Sequence, residues 1–527
     1  MVGFGSHPRH IQDSVFHHGR VAPRATALVD GSVQLTYAEL ASSLEQATSS
    51  LVGAGVRPGD RVAIIAEKSA TSVIAILAVL GAGATVVPLD ISSPPTRLAR
   101  MLQIIEPAWL MADGNHEALA DSCAAADPTI TVQGRLTLRG CTPVLTGRPL
   151  DREYRTDPAT AGGIPPAAIL YTSGTTGMPK GVPLAYADLL EFVDWSNAHF
   201  EVGPGDHLSL HPPLIFDAAL WDILRALTAG AALHIVPDHI KLFPTSLRDF
   251  IRESGLTHWD SVPAVLSVMA ARRVLSRGDF PALRCVVSYG DVLPTAALQY
   301  WMEHLPGARF SNTYGPTETT ITASYYDVTE MPRDTGSAVP IGRPVPGKLM
   351  IVLGEDGEPV LVDAIGELLI GGRGVCDGYW RDPVRTAISF VDYPPGSGQR
   401  WYRTGDLAAV GPDGVFSFHG RRDRQVKLGG RRIELDEVAA ALAAVPLVAD
   451  HAVVGISVGG VEGTRLCCAY VPVAGAAGDN VAVRSALASY LPSYMIPQEW
   501  RMVTAIPRNG NGKIDHAAVT RYFVGDE

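Results

Sequence analysis

Between residues 170 and 181 the chain reads LYTSGTTGMPKG, an apolar strand end that runs into serine, threonine and glycine and closes on Lys180. Glycines let a backbone approach a polyphosphate, hydroxyls and free amides donate to it, and the lysine adds charge. The candidates here are Thr172, Ser173, Gly174, Thr175, Thr176 and Lys180. Gly181, not Ser or Thr, follows the lysine, so the spacing is not that of a Walker A loop. Downstream, NTYGPTETT (312–320) sets Thr317 and Glu318 beside a Gly-Pro turn, and a glutamate is a hard oxygen ligand suited to Mg2+. Asp406 follows a tight turn in YRTGDLA (402–408), where a carboxylate could accept bonds from a sugar diol. Asp217 opens FDAALWD (216–222); a buried carboxylate there is costly unless a cation meets it. Lys513 lies in the glycine-rich run RNGNGKID (508–515). Read alone, a loop lysine or an aspartate after glycine is ordinarily a solvated turn residue.

The elements that must hold these residues follow from the hydrophobic pattern. RVAIIA (61–66) reads as a strand, TSVIAILAVLGAG (71–83) as a helix ending at glycine, and ATVVPL (84–89) as the next strand. That βαβ order predicts parallel sheet with helices on its faces, and AAIL (167–170), HLSL (207–210), ALHIVP (232–237) and RCVVSY (284–289) continue it. The Pro- and Gly-rich stretch from Pro143 to Pro166 reads as surface loop. Beyond residue 340 the texture changes to short strands around Asp-Gly turns, in KLMIVLGEDGEPV (348–360) and LAAVGPDGVFSFHGR (407–421). After residue 423 a compact α+β pattern follows: a helix over 433–445, strands over 451–458 and 466–473, and a helix over 481–491. The expected fold is therefore α/β. A large N-terminal domain (1–422) carries mixed and parallel sheets with helices plus a β-barrel-like part, and a small mobile α+β C-terminal domain (423–527) follows it.

At 527 residues, more than one packed unit is expected. With 46% hydrophobic and 18% charged residues, an ordinary globular interior can be built. A net charge of -11 argues against a broad nucleic-acid surface. The six cysteines form no CxxC pair and read as reduced core thiols, which suits a cytoplasmic protein. The apolar run from Val73 to Leu89 is interrupted by Gly81, Gly83 and Pro88 and is too short to span a membrane, and the N-terminus lacks the pattern of a signal peptide.

Taken in order, LTYAEL (35–40), the loop at 170–181, NTYGPTETT, GELLIGG (366–372), YRTGDLA, GRRDRQVKLGGRRIE (420–434) and NGKID (511–515) resemble the adenylate-forming enzymes. That superfamily includes nonribosomal peptide synthetase adenylation domains, acyl-CoA synthetases and luciferases. The resemblance implies ATP and Mg2+ as cofactors, with Glu318 on the metal and Thr317 on phosphate. It implies Tyr314 stacked on adenine, Asn312 reading its amino group, and Asp406 with Arg421 on the ribose. It makes Lys513 the catalytic lysine, bridging the substrate carboxylate and the α-phosphate. Asp423 falls at the hinge between two lobe orientations, and Gly429 and Gly430 line a tunnel for a phosphopantetheine thiol. The family often has Arg where Gly429 stands and His where Tyr186 stands; an aromatic Tyr186 would still wall the substrate pocket.

Asp217 matches the aspartate that pairs with the α-ammonium group in amino-acid-activating members. The same register places Ala218, Trp221, Asp260, Val287, Tyr289, Thr313, Ile321 and Thr322 around the substrate side chain. Trp221 and Tyr289 would shorten that pocket. Asp260 would offer a second carboxylate, which leans the expectation to a small or medium polar, even cationic, amino acid. The stretch from Trp259 to Tyr325 also resembles D-alanine–carrier protein ligases, and a β-amino acid would preserve the Asp217 pairing. No GGxS attachment motif occurs, so the expected acceptor is a separate carrier protein with a phosphopantetheine arm, in natural-product biosynthesis. An acid–CoA ligase is the alternative.

Overall fold

The run that is apolar on every side, ATSVIAILAVLG, forms the helix Ala70–Gly81. Ser69 starts it with a capping box, accepting from the Ser72 amide while Ser72 returns the bond. A helix apolar all round belongs in an interior. This one shares the largest apolar cluster with strand residues of two sheets: Val62, Val86 and Ala168 of one, Leu28, Leu208 and Leu233 of the other. No helix among the described residues is long and apolar enough to cross a membrane. This computed structural model describes residues 11–127, 132, 134–139, 142–146, 164–174, 178–241, 243–333, 338–458, 463–473, 479–509 and 513–524.

The first of these sheets has seven strands. Arg61–Ile65, Thr85–Pro88, Trp109–Asp113, Gly134–Arg139 and Ala168–Thr172 run parallel, and Thr142–Thr146 and Lys180–Leu184 are antiparallel edges. Thr142–Thr146 corrects the expectation of a loop from Pro143. An edge strand tolerates a proline, whose missing N–H costs no ladder bond on the outer side. The rest of that stretch up to residue 163 lies outside the described residues. The second sheet has nine strands, with Thr26–Asp30, His207–Leu210, Ala232–Ile235, His258–Ser261, Cys285–Tyr289 and Arg309–Tyr314 parallel to one another. Both phosphate-loop and pocket residues therefore sit at the carboxyl ends of parallel strands, where open α/β sheets bind ligands.

A five-stranded antiparallel sheet completes the large lobe. Its strand Arg400–Val410 pairs with Phe416–Arg421 through the expected Asp-Gly hairpin. The other Asp-Gly turn gives only an isolated bridge, Leu353 to Pro359, because Lys348–Leu353 takes Gly366–Gly372 as its partner. From residue 425 a hairpin of Gln425–Leu428 and Arg431–Glu434 leads into a three-stranded sheet, packed with Leu435–Ala443 and Asn480–Leu487. This smaller lobe has its own cluster of buried Ile433, Val438, Leu442, Val453, Leu466 and Leu487. Cys123, Cys285, Cys376, Cys467 and Cys468 are buried free thiols.

Leu77 is fully buried in the central helix. Leu77→Ala should lower the unfolding free energy by about 3 kcal/mol through lost burial and a residual cavity, read as a lower urea midpoint with an unchanged slope.

Candidate active site

A cavity of about 1360 Å³ lies where the two lobes meet. The large lobe lines it with Thr172, Ser173, Asp217, Ala218, Tyr289, Tyr314, Thr317, Asp406 and Arg421, among others, and the small lobe closes it with Lys427 through Arg432. Strand ends supply most of the first group: Thr172 ends Ala168–Thr172, Tyr289 ends Cys285–Tyr289 and Tyr314 ends Arg309–Tyr314. Asp217 is the first residue of the helix Asp217–Ala229.

Glu318, fully buried, is the centre of the charge arrangement. Arg432 Nη1 donates to both its oxygens, at 3.0 and 3.1 Å. Tyr379 Oη donates to Oε1 at 2.9 Å, and Lys180 Nζ stands 3.3 Å from the same oxygen. Burial alone would raise the Glu318 carboxyl, but Arg432 and Lys180 hold it well below the usual carboxylate range. Burial, followed by the like charge of Arg432, lowers Lys180 to about 8, although Glu318 opposes this. Lys180 also donates to Tyr379 Oη at 3.0 Å. Ser173 Oγ donates to the Arg432 carbonyl at 2.9 Å, so the phosphate loop is gripped by the same small-lobe residue. The Thr172 hydroxyl oxygen is buried without a partner, which suits a phosphate oxygen as ligand. A Cβ on Gly174 would lie 2.0 Å from the Met178 carbonyl, so only glycine fits that bend. Thr175 and Thr176 lie outside the described residues.

The ribose candidates form one network. Tyr314 Oη donates to Asp406, Arg421 pairs with the other Asp406 oxygen, and the Asp406 amide donates to Thr404 Oγ1 at 3.0 Å. Arg421 also makes a two-pronged contact with Asp423, Nε and Nη2 each 2.7 Å from a carboxylate oxygen. Asn312 is buried and is not in the cavity lining. Its Nδ2 donates to the Pro340 carbonyl at 2.8 Å, and its buried Oδ1 has no partner, leaving an acceptor of the kind an amino group needs.

Asp217 Oδ1 accepts from the Ala218 amide at 2.8 Å. Burial pushes its carboxyl up to about 6, against a bond from Thr317 and the amide bond, which favour the charged form. Among the described residues it makes no ion pair. Of the positions expected around the substrate side chain, Ala218 and Tyr289 line the cavity. Trp221, Asp260, Val287, Thr313, Ile321 and Thr322 are not in its lining and are buried. The Trp221 indole N–H donates to Ser196 Oγ at 2.9 Å, and Thr313 Oγ1 donates to the Ser288 carbonyl at 3.1 Å. Asp260 is not the open carboxylate that was expected: it is ion-paired with the buried Arg225. Tyr186 does not wall the cavity either. Its phenol oxygen accepts from the Ile11 amide at 2.6 Å and so caps the first helix, Ile11–Val21.

Lys513 is exposed and absent from the cavity lining, held in a turn by an exchange of bonds with Asn509. In this lobe arrangement the turn at Gly429-Gly430 faces the cavity instead. Both glycines have positive φ, and a Cβ on Gly430 would lie 2.4 Å from Val262 Cγ1. Arg432 and Tyr379 are the functional-looking residues that sequence reasoning missed. Arg432 is one of five arginines in GRRDRQVKLGGRRIE, with nothing local to single it out.

Residues 15–380 match the family model described as AMP-binding enzyme, and residues 437–513 match the AMP-binding enzyme C-terminal domain. The chain belongs to the AMP-binding enzyme family. Members use ATP. This AMP-binding enzyme is 36% identical over 504 residues to an L-proline--[L-prolyl-carrier protein] ligase of Streptomyces coelicolor, covering 92% of each chain. It is 32% identical over 524 residues to a ligase of the same description from Pseudomonas fluorescens, covering 98% of this chain and 99% of that one. Its fold matches the holo structure of a nonribosomal peptide synthetase protein containing adenylation and PCP domains. The TM-score is 0.79 at 26% identity, over 98% of this chain and 84% of that one.

Glu318→Gln should leave Arg432 and Lys180 without their shared counter-charge. The buried network then loses about 3–5 kcal/mol, as when one member of a buried pair is removed. Urea unfolding at pH 7 measures the loss.

Proposed function

We propose that this chain activates an amino acid with ATP and passes the aminoacyl group to the phosphopantetheine thiol of a separate carrier protein. In the first step a carboxylate oxygen of the substrate attacks the α-phosphorus, the bond to the leaving pyrophosphate breaks, and aminoacyl-AMP forms. In the second, the thiolate attacks the acyl carbon and AMP leaves. One observation carries the reading. Asp217, a carboxylate without an ion pair among the described residues, lines the same cavity as Thr172, Asp406 and Arg421. An α-ammonium group supplies the missing cation and places the substrate carboxylate near the nucleotide site. The two proline ligases, matched nearly end to end, support a carrier protein as acceptor.

Each residue then has a task. Thr172, Ser173, Thr175, Thr176 and Lys180 hold the phosphates, Tyr314 and Asn312 the adenine, and Asp406 with Arg421 the ribose. Thr317 orients both phosphate and Asp217. Glu318 fits a Mg2+ ion of the kind that takes one carboxylate and fills its shell with phosphate and water, although Arg432 occupies both Glu318 oxygens here. Bound Mg2+ would neutralise charge on the phosphates. We infer a second orientation of the small lobe (423–527) relative to the large lobe (1–422), turning at Asp423, in which Arg432 no longer covers Glu318. That orientation brings Lys513 to the reacting carboxylate. The arrangement described above is the one for thiol transfer, with the Gly429-Gly430 turn leaving room for the pantetheine arm. We place the enzyme in the cytoplasm, where ATP is at hand and buried thiols stay reduced.

Separated half-reactions test this. Lys513→Ala should cut amino-acid-dependent pyrophosphate exchange by about 100-fold or more, the scale of losing one transition-state contact. It should still transfer from preformed aminoacyl-AMP. Gly430→Val should do the reverse. Equal loss of both steps in each variant rejects the two-orientation scheme, and faster transfer to free CoA than to a carrier rejects the acceptor. A pH profile tests Asp217. Its carboxylate must be charged to hold the ammonium group, so kcat/KM for the amino acid should fall as pH drops through about 6, and Asp217→Asn should abolish that limb.

A further inference from the structure

The helix Asp217–Ala229 carries Asp217, Trp221 and Arg225 at spacing i, i+4, i+8, which puts them along one face. Arg225 lies about 12 Å deeper than Asp217 along the axis. The adjoining sheet supplies the opposite wall. Asp260 pairs in register with Val287, and Tyr289 follows two residues on, so these side chains share a face. A substrate held by its ammonium group at Asp217 sends its side chain toward this wall. Tyr289 is what it meets first, because Tyr289 lines the cavity while Trp221, Val287 and Asp260 do not. Behind Tyr289 stands Trp221, edge-on with ring centroids 6.2 Å apart. Behind Trp221 lies Arg225, with no exposed surface, its guanidinium 5.2 Å from both the Trp221 and Phe200 ring centroids.

Arg225 Nη1 pairs with Asp260 Oδ2, while Arg225 Nε, Arg225 Nη2 and Asp260 Oδ1 are buried without partners. The nearby Asp222 carboxyl is driven toward its neutral form by burial and then by Asp260. Beneath the pocket thus lies a buried ion pair, Arg225 with Asp260, rather than an open carboxylate. A cationic side chain reaching it would find the carboxylate already taken and a guanidinium in its path. A long neutral side chain would be stopped earlier, by the Tyr289 ring.

Resting on the amino-acid-activating reading above, we infer that the substrate has a short, uncharged side chain, and that Arg225 is a specificity-determining residue: it neutralises Asp260 and fills the space a longer or cationic side chain would need, beneath Tyr289. This revises the earlier expectation, in which Asp260 was an open second carboxylate favouring a polar, even cationic, side chain.

The test compares the wild-type enzyme, Tyr289→Ala, Arg225→Met, the double variant, and the double variant with Asp260→Asn added. Amino-acid-dependent pyrophosphate exchange is measured with alanine, serine, proline, methionine, leucine, ornithine and lysine. Binding of the same amino acids is followed in parallel by thermal shift, which reports the pocket without catalysis. The wild type should prefer the short neutral acids. Tyr289→Ala should gain about tenfold or more for methionine and leucine, the scale set by a few methylenes in a pocket, with no such gain for ornithine. The double variant should gain about tenfold or more for ornithine, and Asp260→Asn should remove that gain. The inference is overturned if the wild type prefers ornithine or lysine, or if Tyr289→Ala accepts ornithine as readily as methionine. It is equally overturned if a folded double variant shows no ornithine gain. Where the double variant does not fold, the wild-type and Tyr289→Ala preferences decide. Amino-acid binding without exchange in any protein would reject the catalytic reading alone, and the binding preferences would still judge the pocket.

Discussion

A carboxylate with no exposure to water has to be charged where the lobes meet, and Glu318 satisfies that constraint only through residues from distant parts of the chain. Lys180 comes from the strand after the phosphate loop, Tyr379 from the turn after Gly366–Gly372, and Arg432 from the small lobe. Desolvating such a group is unfavourable by several kcal/mol unless its partners are well placed. These contacts supply that compensation, and the one from Arg432, which crosses between the lobes, ties the small lobe to the large one. The cavity exists because this docking leaves the Gly429-Gly430 turn, rather than a bulky side chain, over the strand ends.

The same constraint gives the nucleotide site its character. Lys180 and Ser173 are groups that a triphosphate would engage, and in this arrangement Lys180 faces Glu318 while Ser173 donates to the Arg432 carbonyl of the small lobe. Under the function proposed above they are satisfied internally in this lobe orientation and free for substrate in the second. Two states of similar energy are what a two-step enzyme requires. Asp406, Tyr314 and Arg421 behave differently: the bonds among them lie within the large lobe, while Asp423 on Arg421 and Lys427 over the Tyr314 ring link them to the small one.

Much of this is legible in the sequence alone. The helix Ala70–Gly81 and the parallel strands around it follow from apolar runs and their glycine stops, because burial leaves a local pattern. Asp217, Asp406 and Glu318 could be picked out because motif order carried them. What escaped was long-range pairing. Arg432 meets Glu318 across 114 positions and Arg225 meets Asp260 across 35, and no local pattern records either. From sequence alone Asp260 therefore reads as an open carboxylate. The edge strand at Thr142–Thr146 was missed for another reason: composition rich in proline describes what a strand cannot do at a sheet centre, not what it can do at the rim. Tyr186 is expected at the pocket wall from the family position it occupies, whereas its phenol is claimed by the Ile11 amide.

The Arg225–Asp260 pair has a consequence for how such a pocket changes over generations. Neither residue can be replaced singly without stranding its partner in an apolar interior, a penalty comparable with a large share of a domain's total stability of roughly 5–15 kcal/mol. A lineage drifting toward a basic metabolite would pass through an ancestor that lacks the arginine and folds poorly on its own. The new metabolite, by lending its cation to the orphaned aspartate, would rescue that ancestor as a pharmacological chaperone does. Selection for the new preference would then begin as selection for folding.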